Sequence, residues 1–286
     1  MEVRLWGTVS VTTGGRHWQP SSPRARHLLA CLACQPGEFV PDDAVVDRIW
    51  GDDLPEDPRD ALYTCAKRLR RAMTANGVDS RSLIRQRGGY RLDTAPGSVD
   101  ICRFRQLVRD ARRCDDEPTA AFLYERALRV PSGPPLADVD SPWARRTRHA
   151  LEQEMLSAQL ASAAAWLRSG RHEELIPELA QLSVRHPLDE TVAALLMQAL
   201  YRSGRPAETV AIYQRIQAGL SEQLGVVPGP ALRTVYQQLL IDDPLAGAAR
   251  SGAPAPPSGL QAVASGAVRM RTETAVALPL RAVSRP

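Results

Sequence analysis

One lysine and a run of arginines carry most of the usable chemistry in this chain. From Asp60 to Met73, Leu62, Cys65, Ala66, Leu69 and Met73 recur at helical spacing, so one face of a predicted helix is core. The rest of that helix presents Tyr63, Thr64, Lys67, Arg68, Arg70 and Arg71. Cationic groups interleaved with hydroxyls suit phosphates and base edges in a major groove. A solvated charged face would explain an isolated helix, but the segment Ser82 to Leu92 tips the reading toward DNA. There Leu83-Ile84 is apolar, Arg87-Gly88-Gly89 can turn, and Tyr90-Arg91-Leu92 returns as a strand. The resulting hairpin carries Arg85, Arg87, Gly88, Tyr90 and Arg91 toward phosphates or a minor groove.

Other chemistries find little support. Lys67 is the only lysine and stands in Ala-Lys-Arg, so a phosphate-cradling P-loop is excluded. His27, Cys31 and Cys34 share a helix face at i, i+4 and i+7. Structural zinc takes four ligands and no fourth is spaced nearby, so the cysteines read as small apolar fillers and no metal site is expected. No nucleophile elbow or paired-carboxylate motif stands out among five scattered histidines, which argues against an enzyme and against a cofactor.

These residues need elements to hold them. Val3, Leu5, Val9 and Val11 alternate as short strands, with Gly14-Gly15 as a turn before His17-Trp18. A helix starts at Pro23, carries Leu28, Leu29 and Leu32, and stops at Pro36-Gly37; a second runs from Pro41-Asp42 to Trp50-Gly51. With the cationic helix and its hairpin they make a winged helix-turn-helix. The net charge of +4 divides as +2, −2 and +4 over residues 1–94, 95–244 and 245–286. Residues 36–59 hold eight acids against two arginines, while residues 60–91 hold eight basic groups against two acids. Faces of opposite sign imply different partners. The acids would repel a duplex, so Asp47, Asp52, Asp53 and Glu56 should face away from it. Helix N-terminal acids complementing a macrodipole account for Asp42 and Asp43.

Residues 95–244 read as helices nearly throughout. Leu167-Arg168-Ser169-Gly170-Arg171 recurs as Tyr201-Arg202-Ser203-Gly204-Arg205, and Glu174 as Glu208, at an offset of 34. That is the tetratricopeptide period. About three helix pairs are expected, with a long helix from Trp143 to Arg168 and with Trp143, Trp166, Tyr201 and Tyr213 in the repeat core. Arg145, Arg146 and Arg148 read as a solvated face, with DNA or polymerase contact as the sharper alternative. Residues 245–286, rich in Ala, Pro and Ser with one acid, are expected to be disordered. The fold class is mainly α with a small β component. No stretch approaches 18 uninterrupted apolar residues, five cysteines make no disulfide framework, and nothing resembles a signal peptide, so a cytoplasmic, nucleoid-associated protein without membrane contact is expected.

The order of the small sheet, Gln35-Pro36-Gly37-Glu38, Ile49-Trp50-Gly51, Arg68-Leu69-Arg70-Arg71 and Arg87-Gly88-Gly89-Tyr90-Arg91-Leu92 resembles an OmpR/PhoB-type DNA-binding domain. Pro134-Pro135-Leu136-Ala137-Asp138 to Pro142-Trp143-Ala144, His186-Pro187-Leu188, Met197 to Arg205, and Leu224-Gly225 to Pro228-Gly229-Pro230 are similar to the bacterial transcriptional activation domain. Together, over residues 1–244, they resemble the Streptomyces antibiotic regulatory proteins. The resemblance implies a transcriptional activator binding direct repeats in double-stranded promoter DNA and self-associating there. It also implies that the acidic helix-to-helix loop meets RNA polymerase and its sigma factor, and that the target is a secondary-metabolite gene cluster. That family more often has Tyr-Val-Ser where this chain has Cys65-Ala66-Lys67, implying a departing operator preference. A repressor on the same operator, or a repeat scaffold whose winged helix binds protein, stays open. No receiver domain or ATPase is expected, and control by abundance, partner or small molecule stays open too.

Overall fold

A computed structural model describes residues 1–241; the expectation for 245–286 lies outside them. The alternating N-terminal residues form the antiparallel strands β1 (Glu2–Arg4), β2 (Ser10–Thr13) and β3 (Arg16–Trp18). Val3 faces Val11 and Val11 faces Trp18 across the ladder, so the inward side of the sheet is continuous and apolar. Three helices follow, α1 (Pro23–Ala33), α2 (Asp42–Trp50) and α3 (Pro58–Ala75), with the two-residue strand β4 (Val40–Pro41) before α2. The wing is the hairpin of β5 (Leu83–Gln86) and β6 (Gly89–Leu92), and β6 also pairs with β4. Gly88 turns at φ +81°, a backbone conformation that favours glycine. At Gly89 a Cβ would come within 2.4 Å of the Val40 carbonyl, so only glycine lets β4 approach the hairpin.

The second segment contains α4 (Asp100–Arg112), α5 (Glu117–Leu128), α6 (Pro142–Arg168), α7 (Ile176–Arg185), α8 (Glu190–Arg202), α9 (Pro206–Leu224) and α10 (Pro230–Ile241). The 34-residue repeat is visible in its hydrogen bonds. The Arg171 amide donates to the Trp166 carbonyl and the Arg205 amide to that of Leu200, both at 3.0 Å. Gly170 and Gly204 end their helices at φ +84° and +72°, and Arg171 and Arg205 each pair with a glutamate three residues on. The protein is mainly α with a small β component, a winged helix-turn-helix followed by a tetratricopeptide-like helical array.

The aromatic residues expected in the repeat core are half-buried and not sealed. Trp166 lies beneath the Arg171 guanidinium at 4.1 Å, and Tyr213 stacks on Tyr236 with centroids 3.9 Å apart. Trp143 packs under Arg48, and Tyr201 is also half-buried. Three long-range contacts join the segments. Trp6 and Phe104 meet edge to face, 5.7 Å between centroids, and one buried core runs from Val3 through α6 to Ala158. The Asp100 carboxylate accepts hydrogen bonds from the Leu5 and Trp6 amides at 2.9 Å. Asp138 accepts from the Val9 amide at 2.8 Å and pairs with Arg26 at 2.9 Å.

His27 on α1 is 5% exposed, and both of its ring nitrogens lack a partner. Burial, then Arg24 and Arg26, push its pKa down from 6.5 to about 4. The folded protein keeps this imidazole neutral while the unfolded chain takes up a proton below pH 6.5, so its contribution is intact above 6.5 and lost as pH falls toward 4. We expect about 2 kcal/mol of acid destabilisation from this residue, an order-of-magnitude figure. Urea midpoints at pH 7.5 and 4.5 should differ less in His27→Leu than in wild type; equal differences would refute this.

Candidate nucleic-acid interface

The cationic face depends on how α3 is held. Asp57 caps it, accepting from the Arg59 and Asp60 amides at 3.0 Å, and Pro58 opens its first turn. Leu62, Cys65, Ala66, Leu69 and Met73 are buried, which turns Lys67, Arg68 and Arg71 into solvent and leaves Tyr63 59% exposed. Thr64 is half-buried beside them. Of Cys65, Ala66 and Lys67, only Lys67 reaches the surface, so a departure in DNA preference at these positions rests on Lys67.

Two further arginines are tied to the wing and its neighbours. Arg70 is half-buried and donates to the Leu83 carbonyl at 2.9 Å, pinning α3 to β5. Arg85 grips both oxygens of Asp42, the second at 2.8 Å, and lies 4.5 Å above the Tyr90 ring. That carboxylate holds the Arg85 pKa above its ordinary value. Tyr90, expected on the wing surface, is corrected to a core residue: it is 1% exposed, because its register opposite Val40 and Arg85 aims the ring beneath the hairpin. Arg87 and Gly88 form the exposed tip, whereas Arg91 is half-buried.

A groove of about 490 Å³ runs beside α3, where Arg68 and Arg71 face Ser21, Ser22 and Pro23 at the start of α1. Ser21 and Ser22 escaped sequence reasoning. The signal was present in Ser-Ser-Pro before a helix, an N-terminus whose free amides can meet a phosphate.

The acidic residues sit apart from this surface. Asp47, Asp52, Asp53 and Glu56 are exposed. Asp42, Asp43, Asp47 and Glu56 line a groove of about 500 Å³ with Val46 and Leu54, the latter 57% exposed. Leu54 too was missed, an apolar residue inside a Pro-rich loop. The remaining clusters resolve into structure. Arg148 donates to the Pro135, Leu136 and Val139 carbonyls at 3.0, 2.8 and 3.2 Å, so it clamps a loop, and Arg145 pairs with Asp140 at 2.7 Å. Burial pushes the Cys31 and Cys34 thiols up, Cys34 to about 12. Among the described residues no group of three or more His, Cys, Asp or Glu is arranged to hold a metal.

Comparison with known proteins matches residues 20–92 to the family "Transcriptional regulatory protein, C terminal" and residues 99–240 to the "Bacterial transcriptional activator domain". Regulatory protein DnrI of Streptomyces peucetius is 30% identical over 274 residues, covering 92% of this chain and 100% of that protein. The chain belongs to the Streptomyces antibiotic regulatory protein family. Regulatory protein AfsR of Streptomyces griseus is 35% identical over 258 residues, 89% of this chain. The present family member spans only 26% of AfsR's length. The solved structure of Mycobacterium tuberculosis EmbR in complex with a low affinity phosphopeptide superposes with a TM-score of 0.81 at 28% identity, over 87% of this chain and 68% of that one. As a member of that family the chain carries an OmpR-type regulatory module followed by a bacterial transcriptional activator domain. Among its described residues no helix is long and apolar enough to cross a membrane.

Proposed function

We propose that this regulator is a sequence-specific activator that binds double-stranded promoter DNA through α3 and the wing. The observation carrying this reading is the segregation of charge: Tyr63, Lys67, Arg68 and Arg71 are exposed along α3 from its second turn onward, whereas the acidic groove is lined by α2, the loop after it and only the first residues of α3. Lys67, Arg71, Thr64 and Tyr63 read base edges or adjoining phosphates, Arg68 holds the backbone, and Arg87 at the wing tip approaches phosphates or the minor groove. Arg70 and Arg85 act by fixing the wing against α3 and α2. Asp47, Asp52, Asp53 and Glu56, around the apolar Leu54, offer RNA polymerase and its sigma factor a surface complementary to a basic helix. Tandem copies occupy direct repeats spaced by about one helical turn, 34 to 36 Å, on one face of the duplex. Residues 1–94 serve as the DNA-binding domain and 95–244 as the domain that pairs protomers, in the cytoplasm at a secondary-metabolite gene cluster.

Transcription with purified polymerase tests the reading. Adding the protein should raise transcript from the promoter of an adjoining operon, and Asp52→Asn with Asp53→Asn should reduce that gain severalfold while leaving DNA affinity unchanged. Falling transcript would mean that the protein represses by occupying the site.

A further inference from the structure

A second cationic feature lies away from α3. β1, α4, α5 and the residues after α5 enclose a groove of about 590 Å³, with Arg4, Arg103, Arg126 and Arg129 around it and Leu107 and Val130 lining it. It shares no lining residue with the groove beside α3. The acceptors within it are already engaged. The Asp100 carboxylate is taken by the amides of Leu5, Trp6 and Ile101, and the Ser132 hydroxyl donates to the Trp6 carbonyl at 2.8 Å. Arg129 pairs with Glu125 at 2.5 Å, and Arg126 stands over Phe122 at 5.9 Å. Arg4 and Arg103 have no ion-pair partner among the described residues. Asp100 lines the same groove and its carboxylate interacts with Arg103, and Glu125 balances Arg129, so four guanidinium groups face two carboxylates and the excess positive charge favours an anion. Their planar forks match phosphate oxygens.

We propose that this groove binds a phosphorylated small molecule, its phosphates held by Arg4, Arg103 and Arg126 and its less polar body resting on Leu107 and Val130. The concave shape favours a small ligand over a duplex backbone, which runs along open surfaces, and Leu107 and Val130 add an apolar patch to a lining otherwise charged or polar; ligand sites typically enclose about 300 to 1,000 Å³. An occupant would bridge β1 of the winged helix to α4 and α5 beside the Asp100 clasp, and so sense the junction between the two segments.

Calorimetric titration of the full chain with inorganic pyrophosphate, and separately with ATP without metal, tests this at constant ionic strength. Wild type should show saturable binding to at least one. Arg103→Ala with Arg126→Ala should weaken it about a hundredfold, near tenfold per arginine. Arg113→Ala, an exposed arginine outside the groove, should not change it. The arginines substituted are exposed, and an unchanged melting midpoint confirms that the double variant is folded. No saturable binding of either probe, or binding that the double variant retains, overturns the proposal. It is also overturned if neither probe binds and the double variant loses DNA affinity, which would make the groove part of the duplex interface.

Discussion

Asp100→Ala should destabilise the protein by about 3 to 5 kcal/mol, the size expected when buried donors lose a charged acceptor. Asp100 is 6% exposed, and its two oxygens accept from the amides of Leu5, Trp6 and Ile101 at 2.7 to 2.9 Å. Burial raises its pKa, and those same backbone bonds oppose the rise. Alanine leaves three amides in the core with nothing to receive them. It also releases the segment just after β1 from α4 across a separation of 95 residues. In a chain of this size the loss corresponds to about 6 to 10 °C in melting midpoint. Asp100→Asn keeps one acceptor oxygen but turns an NH₂ toward an amide donor, so it should fall between alanine and wild type. Urea unfolding measures both, and a loss below about 1 kcal/mol for alanine would show that the clasp is dispensable.

The second large effect concerns binding and leaves the fold intact. Lys67→Ala with Arg71→Ala should weaken binding to a duplex from upstream of an adjoining operon about a hundredfold, near tenfold for each charge-assisted contact. Both side chains are exposed, one helical turn apart on α3, while the helix is held by its buried stripe and by Asp57. Stability should therefore stay within about 0.5 kcal/mol of wild type. Fluorescence anisotropy gives the affinity and urea unfolding the control. A loss of binding accompanied by an equal collapse of stability would assign these residues to the fold and not to DNA.

The sequence made the amphipathic elements legible because the information is local. The stripe Leu62 to Met73 states a helix and its buried side within a few turns, and the repeat of Leu167 to Arg171 at Tyr201 to Arg205 marks two equivalent helix ends, which form where expected. The wing was legible through its Gly-Gly turn. What escaped was the fate of long polar side chains. Arg70, Arg85 and Arg148 have the same composition-level signature as Lys67 or Arg71, yet they spend their donors on Leu83, Asp42 and the 135–139 loop. Tyr90 looked like a wing contact because aromatic residues tolerate either environment, and only the pairing of β6 with β4 decides that it turns inward. Asp100 gave no local sign of its role, since its partners lie 94 and 95 residues earlier in the chain. The arginine groove likewise gathers Arg4 with residues about a hundred or more positions away.

The central claim, that α3 lies on the duplex, is tested most directly by the salt dependence of binding. The logarithm of the binding constant should fall linearly with the logarithm of salt for wild type. Where Lys67→Ala or Arg71→Ala removes a cation seated on a phosphate, the slope should become shallower by about one unit for each variant, at lower affinity throughout. Titrations in which both variants reproduce the wild-type affinity and slope would contradict the assignment and move the DNA-binding surface elsewhere on the protein.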